Sequence, residues 1–575
     1  MAQAGVSRRT PFPWWRLATV AVLVAATALS GGPAAAAPAH RPPTSGQPDF
    51  GPNVKIFDPT MPTGEIQATV DAIAAQQVDN EMGTQRYALL FKPGTYGTPD
   101  HPLVFQVGYY TEVAGLGIAP TDVTINGHVD VYNRCLTPTN CIALVNFWRS
   151  LANLTINVTG LDGCRASGDF WAVSQAAPMR RVNVTGGNLT FMDYCTAGPQ
   201  YASGGFLADS VAGSIVNGSQ QQFLVRNSSI GSWSNAVWNQ VRVFVPAAAR
   251  NSAGPTWQHG PTPGRSIPLS DFFVARPSDS VATINSQLAR GKNLILTPGV
   301  YDVDRSIMVR RPGTIVLGQG VATLTAVRGS VPLRVADVPG VDIAGVMIDA
   351  GPVNSPVLLQ VGSRHGHGHG AANPADPTVL HDVYFRIGGP HVGKATVSLE
   401  VNSDDVLLDH IWAWRADHGV PGSVGWDVNT AGTGVVVNGD DVTATGLFVE
   451  HYQRYNVSWT GERGETIFFQ NELPYDPPNQ AAWRHDGVLG WAAYKVADRV
   501  RTHQLWGAGS YVFTNVDPTI HATHGFEVPV TPGVTLHDLL TVNLSAGTID
   551  HVVNDTGAPV TTAAVGVPSY VVSYP

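Results

Sequence analysis

Val401-Asn-Ser-Asp-Asp-Val406 recurs as Val437-Asn-Gly-Asp-Asp-Val442, and an apolar strand follows each copy, His410–Trp414 in one case and Gly446–Glu450 in the other. Around these units the strands are short, β-branched and parted by Gly, Asn or Asp, without long helical stretches between them. Rungs that repeat in this way bury their apolar face only by stacking on one another, as the coils of a parallel β-helix do. A β-propeller would also give many short strands, but the rung spacing is irregular and no blade signature repeats.

A longer repeat encloses the rungs. Tyr87-Ala-Leu-Leu-Phe-Lys-Pro-Gly-Thr-Tyr96 matches Asn293-Leu-Ile-Leu-Thr-Pro-Gly-Val-Tyr301. A Gly-x-Gly turn follows each, at Gly115–Gly117 and Gly318–Gly320, and then a Thr-rich strand. Upstream, Ile66–Ile73 and Val281–Leu288 both have the spacing of short amphipathic helices, suited to capping an open end of a solenoid. Four features in one order define two copies of one architecture. The expected organisation is a first β-helix over 48–245, a linker rich in Pro and Gly over 246–268, and a second β-helix over 269–575, the two packed side by side.

Composition agrees. Gly (61) and Pro (42) are abundant among 575 residues and only 13% are charged, which argues against helix bundles and coiled coils. The net charge of −9 leaves no basic footprint for nucleic acid and suits a neutral or cationic substrate better than a polyanion. Residues 1–36 have the layout of an export signal: Arg8, Arg9 and Arg16, the apolar run Leu17–Leu29, then small residues at Ala34–Ala37. Ser7-Arg8-Arg9-Thr10 resembles a twin-arginine motif, so Sec and Tat export both stay open. The expectation is a secreted, extracellular protein, with no membrane attachment after cleavage and a disordered segment over 37–47. Cys135, Cys141, Cys164 and Cys195 lack a C-x₂₋₄-C clamp for zinc. In an oxidising compartment they make two disulfides, most simply Cys135–Cys141 and Cys164–Cys195 among three connectivities. No metal and no cofactor are expected.

Several motifs carry no chemistry. The two Gly-x-Gly sequences sit between strands and are turns. Arg364-His-Gly-His-Gly-His-Gly370 is a loop with flexible spacers. Asp404-Asp405 and Asp440-Asp441 recur at one place in two rungs, which fits a turn role. The segment Leu447–Trp483 is different. Glu450 and Glu472 each end an apolar strand, and their separation of 22 residues is close to one coil. Stacked on neighbouring rungs about 5 Å apart at the backbone, the two carboxyls would raise each other's proton affinity. Apolar Phe468, Phe469 and Leu473 add desolvation, and a carboxylic acid kept protonated in this way serves as general acid toward a glycosidic oxygen. Trp412, Trp414, Trp426, Tyr452, Tyr475 and Trp483 crowd the same third of the chain, where flat rings either stack on sugars or pack a core.

Asn146-Phe-Trp-Arg-Ser150, Trp171–Arg181, Ser203-Gly-Gly-Phe206, Gln220-Gln-Gln222, Ile411–Gly419 and the strings around Glu450 and Glu472 resemble glycoside hydrolase family 55, over nearly all of the mature chain. The resemblance implies two tandem right-handed parallel β-helix (pectin-lyase-like) domains with the active site between them. It also implies exo-acting hydrolysis of β-1,3-glucan with inversion. Carried over by position, Glu472 is the general acid, Gln175 and Ser203 hold the attacking water, and Glu450 assists by position or proton relay. Trp412, Trp414, Asp417 and Tyr475 line the terminal-glucose subsite. The substrate is a neutral β-glucan and a monomer is expected. Two departures stand out: the chain looks shortened after Val237-Trp-Asn-Gln240, and Tyr194–Ser203 looks rebuilt. A polysaccharide lyase on the same fold, or a glycan-binding surface protein without turnover, are the alternatives.

Overall fold

A computed structural model describes residues 49–218, 223–235, 255, 257–258, 267–363 and 373–575. The expected signal peptide, the segment 37–47, Gln220–Gln222, the shortened stretch after Val237, most of the linker and the 364–370 loop lie outside the described residues.

Parallel strands stack into two solenoids. In the first, Val54–Phe57, Tyr87–Phe91, Thr111–Gly115, Arg149–Val158, Pro178–Thr185 and Val211–Asn217 follow one another in a single sheet. In the second, one long sheet climbs from Phe272–Ala275 to Val534–Ala546, and a further sheet runs from Ile307–Val309 to Thr548–Val553. No described strand pairs across the two solenoids, yet Asp49–Pro575 forms one compact unit. The helices α1 (Thr63–Gln77) and α2 (Val281–Ala289) precede the paired copies as the sequence leads one to expect. Each buries an apolar stripe: Ile66, Val70 and Ile73 in α1, and Val281, Ile284 and Leu288 in α2. The antiparallel strand Ser569–Tyr574 closes the far end of the long sheet.

Each long strand of the second solenoid bends at one place. Asp382, His410, Gly446, Phe468, Gly507 and Asp538 drop out of the ladder register one above another. All six have φ between 55° and 68°, the left-handed region. The glycine at 446 also serves the packing. A Cβ there would stand 3.1–3.2 Å from Leu224 and Phe206 of the first solenoid, so this bend is where the solenoids approach closely. The Asp-Asp pairs have the turn role read from the sequence. Asp405 and Asp441 adopt φ of 53° and 56°, and Asp404 Oδ1 accepts the Asp440 N–H at 2.7 Å on the next rung. Both expected disulfides, Cys135–Cys141 and Cys164–Cys195, are formed, and both lie in the first solenoid.

The seam between the solenoids is aromatic at its centre and ionic at its margins. Phe147 and Trp148 pack on Trp412 and Trp414, with ring centroids 5.0–6.3 Å apart. Arg180 bonds both oxygens of Asp382 (2.7 and 3.0 Å) and one of Asp409 (2.8 Å), and Arg226 adds to Asp409 at 2.9 Å.

One core residue makes stability depend on pH. His503 is fully buried against Trp459 and Tyr494, its Nδ1 has no partner, and burial depresses its pKa to about 3. The unfolded chain titrates near 6.5, so it binds more protons than the native state between those values. Stability therefore falls as pH drops from about 6.5 toward 3, by about 1.4 kcal/mol per unit from this group. Denaturant unfolding of His503→Asn across that range should lack this slope whatever its absolute stability; an unchanged slope refutes the assignment.

Candidate active site

The ladder that carries the two glutamates can be followed rung by rung. Asp349 pairs with Arg386, Arg386 with Trp414, and Trp414 with Glu450; one rung further, Glu472 pairs with Tyr511. Between Thr443–Glu450 and Gly464–Glu472 the register holds a constant offset of 22, from Thr443↔Glu465 to Phe448↔Gln470. The His451 N–H bonds the Glu472 carbonyl at 2.8 Å just beyond. The two glutamates thus occupy equivalent positions on neighbouring rungs, facing the first solenoid.

Their surroundings differ. Glu450 is 3% exposed and both of its oxygens are engaged: Trp412 Nε1 donates to Oε2 at 2.8 Å, and Gln175 Nε2 donates across the seam to Oε1 at 2.9 Å. Burial and the nearby Glu472 charge push its pKa well above the usual carboxylate range, outweighing the Trp412 bond. The Glu472 side chain is 15% exposed, and its Oε2 accepts the Tyr475 hydroxyl. The loop that presents Tyr475 is anchored by Arg415, which is buried and bonds both oxygens of Asp476 at 2.7 Å.

A second charged group closes the site from the seam. His451 Nε2 lies 3.8 Å from Asp417 Oδ1 and 3.9 Å from Glu472 Oε2, and its ring meets Tyr475 edge-on at 4.4 Å. Asp417 also contacts His418 at 3.0 Å, and the far nitrogen of His418 reaches Glu81 of the first solenoid at 2.8 Å. Burial works against protonation of His418, but these two carboxylates prevail and lift it to about 10. Burial likewise opposes ionisation of Asp417, and the His418 bond with the His451 and His418 charges holds it below the usual range.

The structure brings together Glu450, Glu472, Gln175, Asp417 and Tyr475. Ser203 is buried beside them: Gly204, with φ of 75°, abuts Gln175, and a Cβ at 204 would stand 2.8 Å from the Gln175 amide carbon. Gln175 Oε1 accepts the Ser174 hydroxyl, and its amide nitrogen also reaches Gln470 at 3.3 Å. Trp412 and Trp414 correct an expectation. They are 1% and 2% exposed, packed on each other and on the rings of the first solenoid, so neither offers a flat face to a sugar. Sealing the seam consumed both faces, and the polar edge of Trp412 positions Glu450 instead. Sequence reading passed over His451, His418, Glu81 and Gln470. The two histidines stand inside strings already singled out, next to Glu450 and Asp417; nothing in the sequence ties Glu81 to them.

The sequence pattern of the LAM55 pectate lyase-like domain matches residues 272–472. An exo-beta-1,3-glucanase of Streptomyces sp. (strain SirexAA-E / ActE) is 45% identical over 580 residues, spanning 94% of this chain and 92% of that protein. The chain belongs to glycoside hydrolase family 55. The solved structure of sacteLam55A from Streptomyces sp. SirexAA-E superposes with a TM-score of 0.84 at 45% identity, over 92% of this chain and 99% of that one. A variant of sacteLam55A in complex with glucose gives 0.83 at 44%, with the same coverage. The family 55 assignment makes the chain a glycosidase and sets aside the lyase and binding-protein alternatives.

Proposed function

We propose that this protein is a secreted exo-hydrolase that releases glucose from the non-reducing end of β-1,3-glucan with inversion. Glu472 protonates the departing oxygen, Gln175 and Ser203 hold the attacking water, and Glu450 supports Glu472 from the adjacent rung by position or as a proton relay. Asp417 and Tyr475 face the terminal glucose.

The observation that carries the reading is the unequal pair of stacked carboxyls. Both oxygens of Glu450 are held by N–H donors in a buried setting, whereas Glu472 keeps one oxygen outside its bond to Tyr475 and is partly open. The open member is the one that can reach a leaving group, and its buried neighbour favours retention of a proton in the site. The Gln175 amide is fixed by Glu450 and Gln470 and cannot turn freely, and its carbonyl, which takes the Ser174 hydroxyl, keeps a second lone pair that can accept a bond from water.

Inversion has a direct readout. Laminarin hydrolysis followed by NMR from the first minutes should release α-glucose ahead of mutarotation, since water attacks the face opposite the β-linked leaving group. Early β-glucose would mean a covalent intermediate and would remove Gln175 and Ser203 from the water-holding role.

A further inference from the structure

A second polar cluster lies in the first solenoid, apart from the glutamate pair. His128, Asp130 and Asp169 are all fully buried, and one donor atom from each lies within 4.8 Å of the others. The two carboxylates stand between parallel strands that lack ladder bonds at Asp130 and Asp169; backbone pairing resumes at the next residue, where the Val131 N–H bonds the Phe170 carbonyl and the Ala172 N–H the Val131 carbonyl. Asp130 Oδ1 accepts the Phe170 N–H and Asp169 Oδ1 accepts the Val129 N–H, both at 2.8 Å. This crossed pair leaves Oδ2 of each carboxylate for something else. Asp130 Oδ2 takes the Tyr132 hydroxyl, and Asp169 Oδ2 has no partner. Neither ring nitrogen of His128 has a hydrogen-bond partner, and its Nδ1 stands 3.7 Å from Asp130 Oδ2.

Buried polar atoms without partners are uncommon in folded proteins, and this cluster holds three, of which one imidazole nitrogen and Asp169 Oδ2 can serve a single ion. Two buried carboxylates also call for positive charge, yet among the described residues His128 is the one basic side chain within ion-pair distance of either. Arg165, which lies over the Tyr132 ring, is committed to Asp193.

We propose that His128, Asp130 and Asp169 bind one divalent transition-metal ion of the zinc class, which ties the strand Val123–Asp130 to Gly168–Phe170. An imidazole nitrogen with two carboxylate oxygens is a borderline donor set that suits Zn²⁺, whereas Ca²⁺ and Mg²⁺ take oxygen alone. Two donors of a tetrahedral ion at about 2.1 Å stand about 3.4 Å apart, so closing the site from a spread of up to 4.8 Å takes roughly 0.7 Å from each side chain. The role is structural. The strands sit beside segments stapled by both disulfides, Cys135–Cys141 and Cys164–Cys195.

The test uses tag-free full-length protein in which His365, His367 and His369 are replaced by Asn, so that the histidine-rich loop supplies no competing ligands. After treatment with a strong chelator, Zn²⁺ or Ca²⁺ is added back, and bound metal and thermal midpoint are measured. The proposal expects one equivalent of Zn²⁺ per chain, a midpoint that rises with Zn²⁺ and not with Ca²⁺, and loss of both effects in Asp169→Asn. A proton shared between the carboxyls is the competing way to neutralise them. In that case Zn²⁺ neither binds stoichiometrically nor moves the midpoint, and Asp169→Asn is as stable as its parent; this result overturns the proposal. If the variant does not fold, the add-back on the parent decides alone.

Discussion

Glu472→Gln is expected to fold like the parent and to hydrolyse laminarin about 10²- to 10⁴-fold more slowly, the usual size of general acid–base assistance. The amide keeps the shape of the carboxyl and an acceptor for the Tyr475 hydroxyl, so the neighbouring rung and the Arg415–Asp476 anchor are left in place. What it cannot do is deliver a proton to the glucan oxygen. An activated aryl glucoside, whose leaving group departs as an anion, should therefore lose much less. Gln175→Ala supplies the contrast: it loosens the water and not the leaving group, so both substrates should suffer alike. Near-parental laminarin hydrolysis by Glu472→Gln, or equal losses on both substrates, would make Glu472 structural and turn attention to Glu450.

The sequence disclosed the fold through local signals that physics makes strict. An Asp-Asp turn with a left-handed second residue, an apolar strand after it, and a helix ahead of each Pro-Gly-x-Tyr are short-range features, and each is present where the residues indicate. Rung length was not legible in the same way. Successive rungs of the long sheet are offset by 28, 36, 22 and 39 residues, as Thr378↔Val406, Leu407↔Thr443, Thr443↔Glu465 and Gly464↔His503 show. Loops of any length can leave a coil without disturbing the stack, so no fixed period survives in the sequence. The Glu450–Glu472 spacing was informative because that rung carries the shortest of these excursions.

The site was only half legible for a related reason. Pairings within one solenoid follow from register, which sequence spacing constrains. Contacts across the seam do not: Gln175 on Glu450, Glu81 on His418 and Arg86 on Thr323 join residues hundreds of positions apart. The tryptophans illustrate the cost. A Trp in a strand rich in polar neighbours reads as a sugar platform, but Trp412 and Trp414 meet Phe147 and Trp148 from the other solenoid and are buried by them. Composition cannot distinguish a ring that faces a cleft from one that faces a second domain.

The seam also carries the largest expected effect on stability. Arg386 and Asp349 are 3% and 4% exposed and joined by two bonds of 2.9 and 2.7 Å, and Arg386 donates further to the Tyr110 hydroxyl at 2.6 Å while lying over Trp148. Removing one partner of such a pair leaves a charge with no water to replace it. Asp349→Ala should therefore cost about 3–5 kcal/mol in denaturant unfolding. Arg386 belongs to the rung before Trp414, so the disturbance is conveyed directly to the ladder that carries Glu450. The mechanism makes a second demand. If the penalty comes from the stranded guanidinium rather than from a lost attraction, the double variant Asp349→Ala/Arg386→Met, which removes the charge and refills the space with an apolar chain, should recover most of the loss. A single variant within about 1 kcal/mol of the parent would show that water reaches Arg386. A double variant worse than the single would show that Arg386 stabilises the protein even without Asp349, through its bond to Tyr110 and its place over Trp148, and that these contacts help hold the two solenoids together.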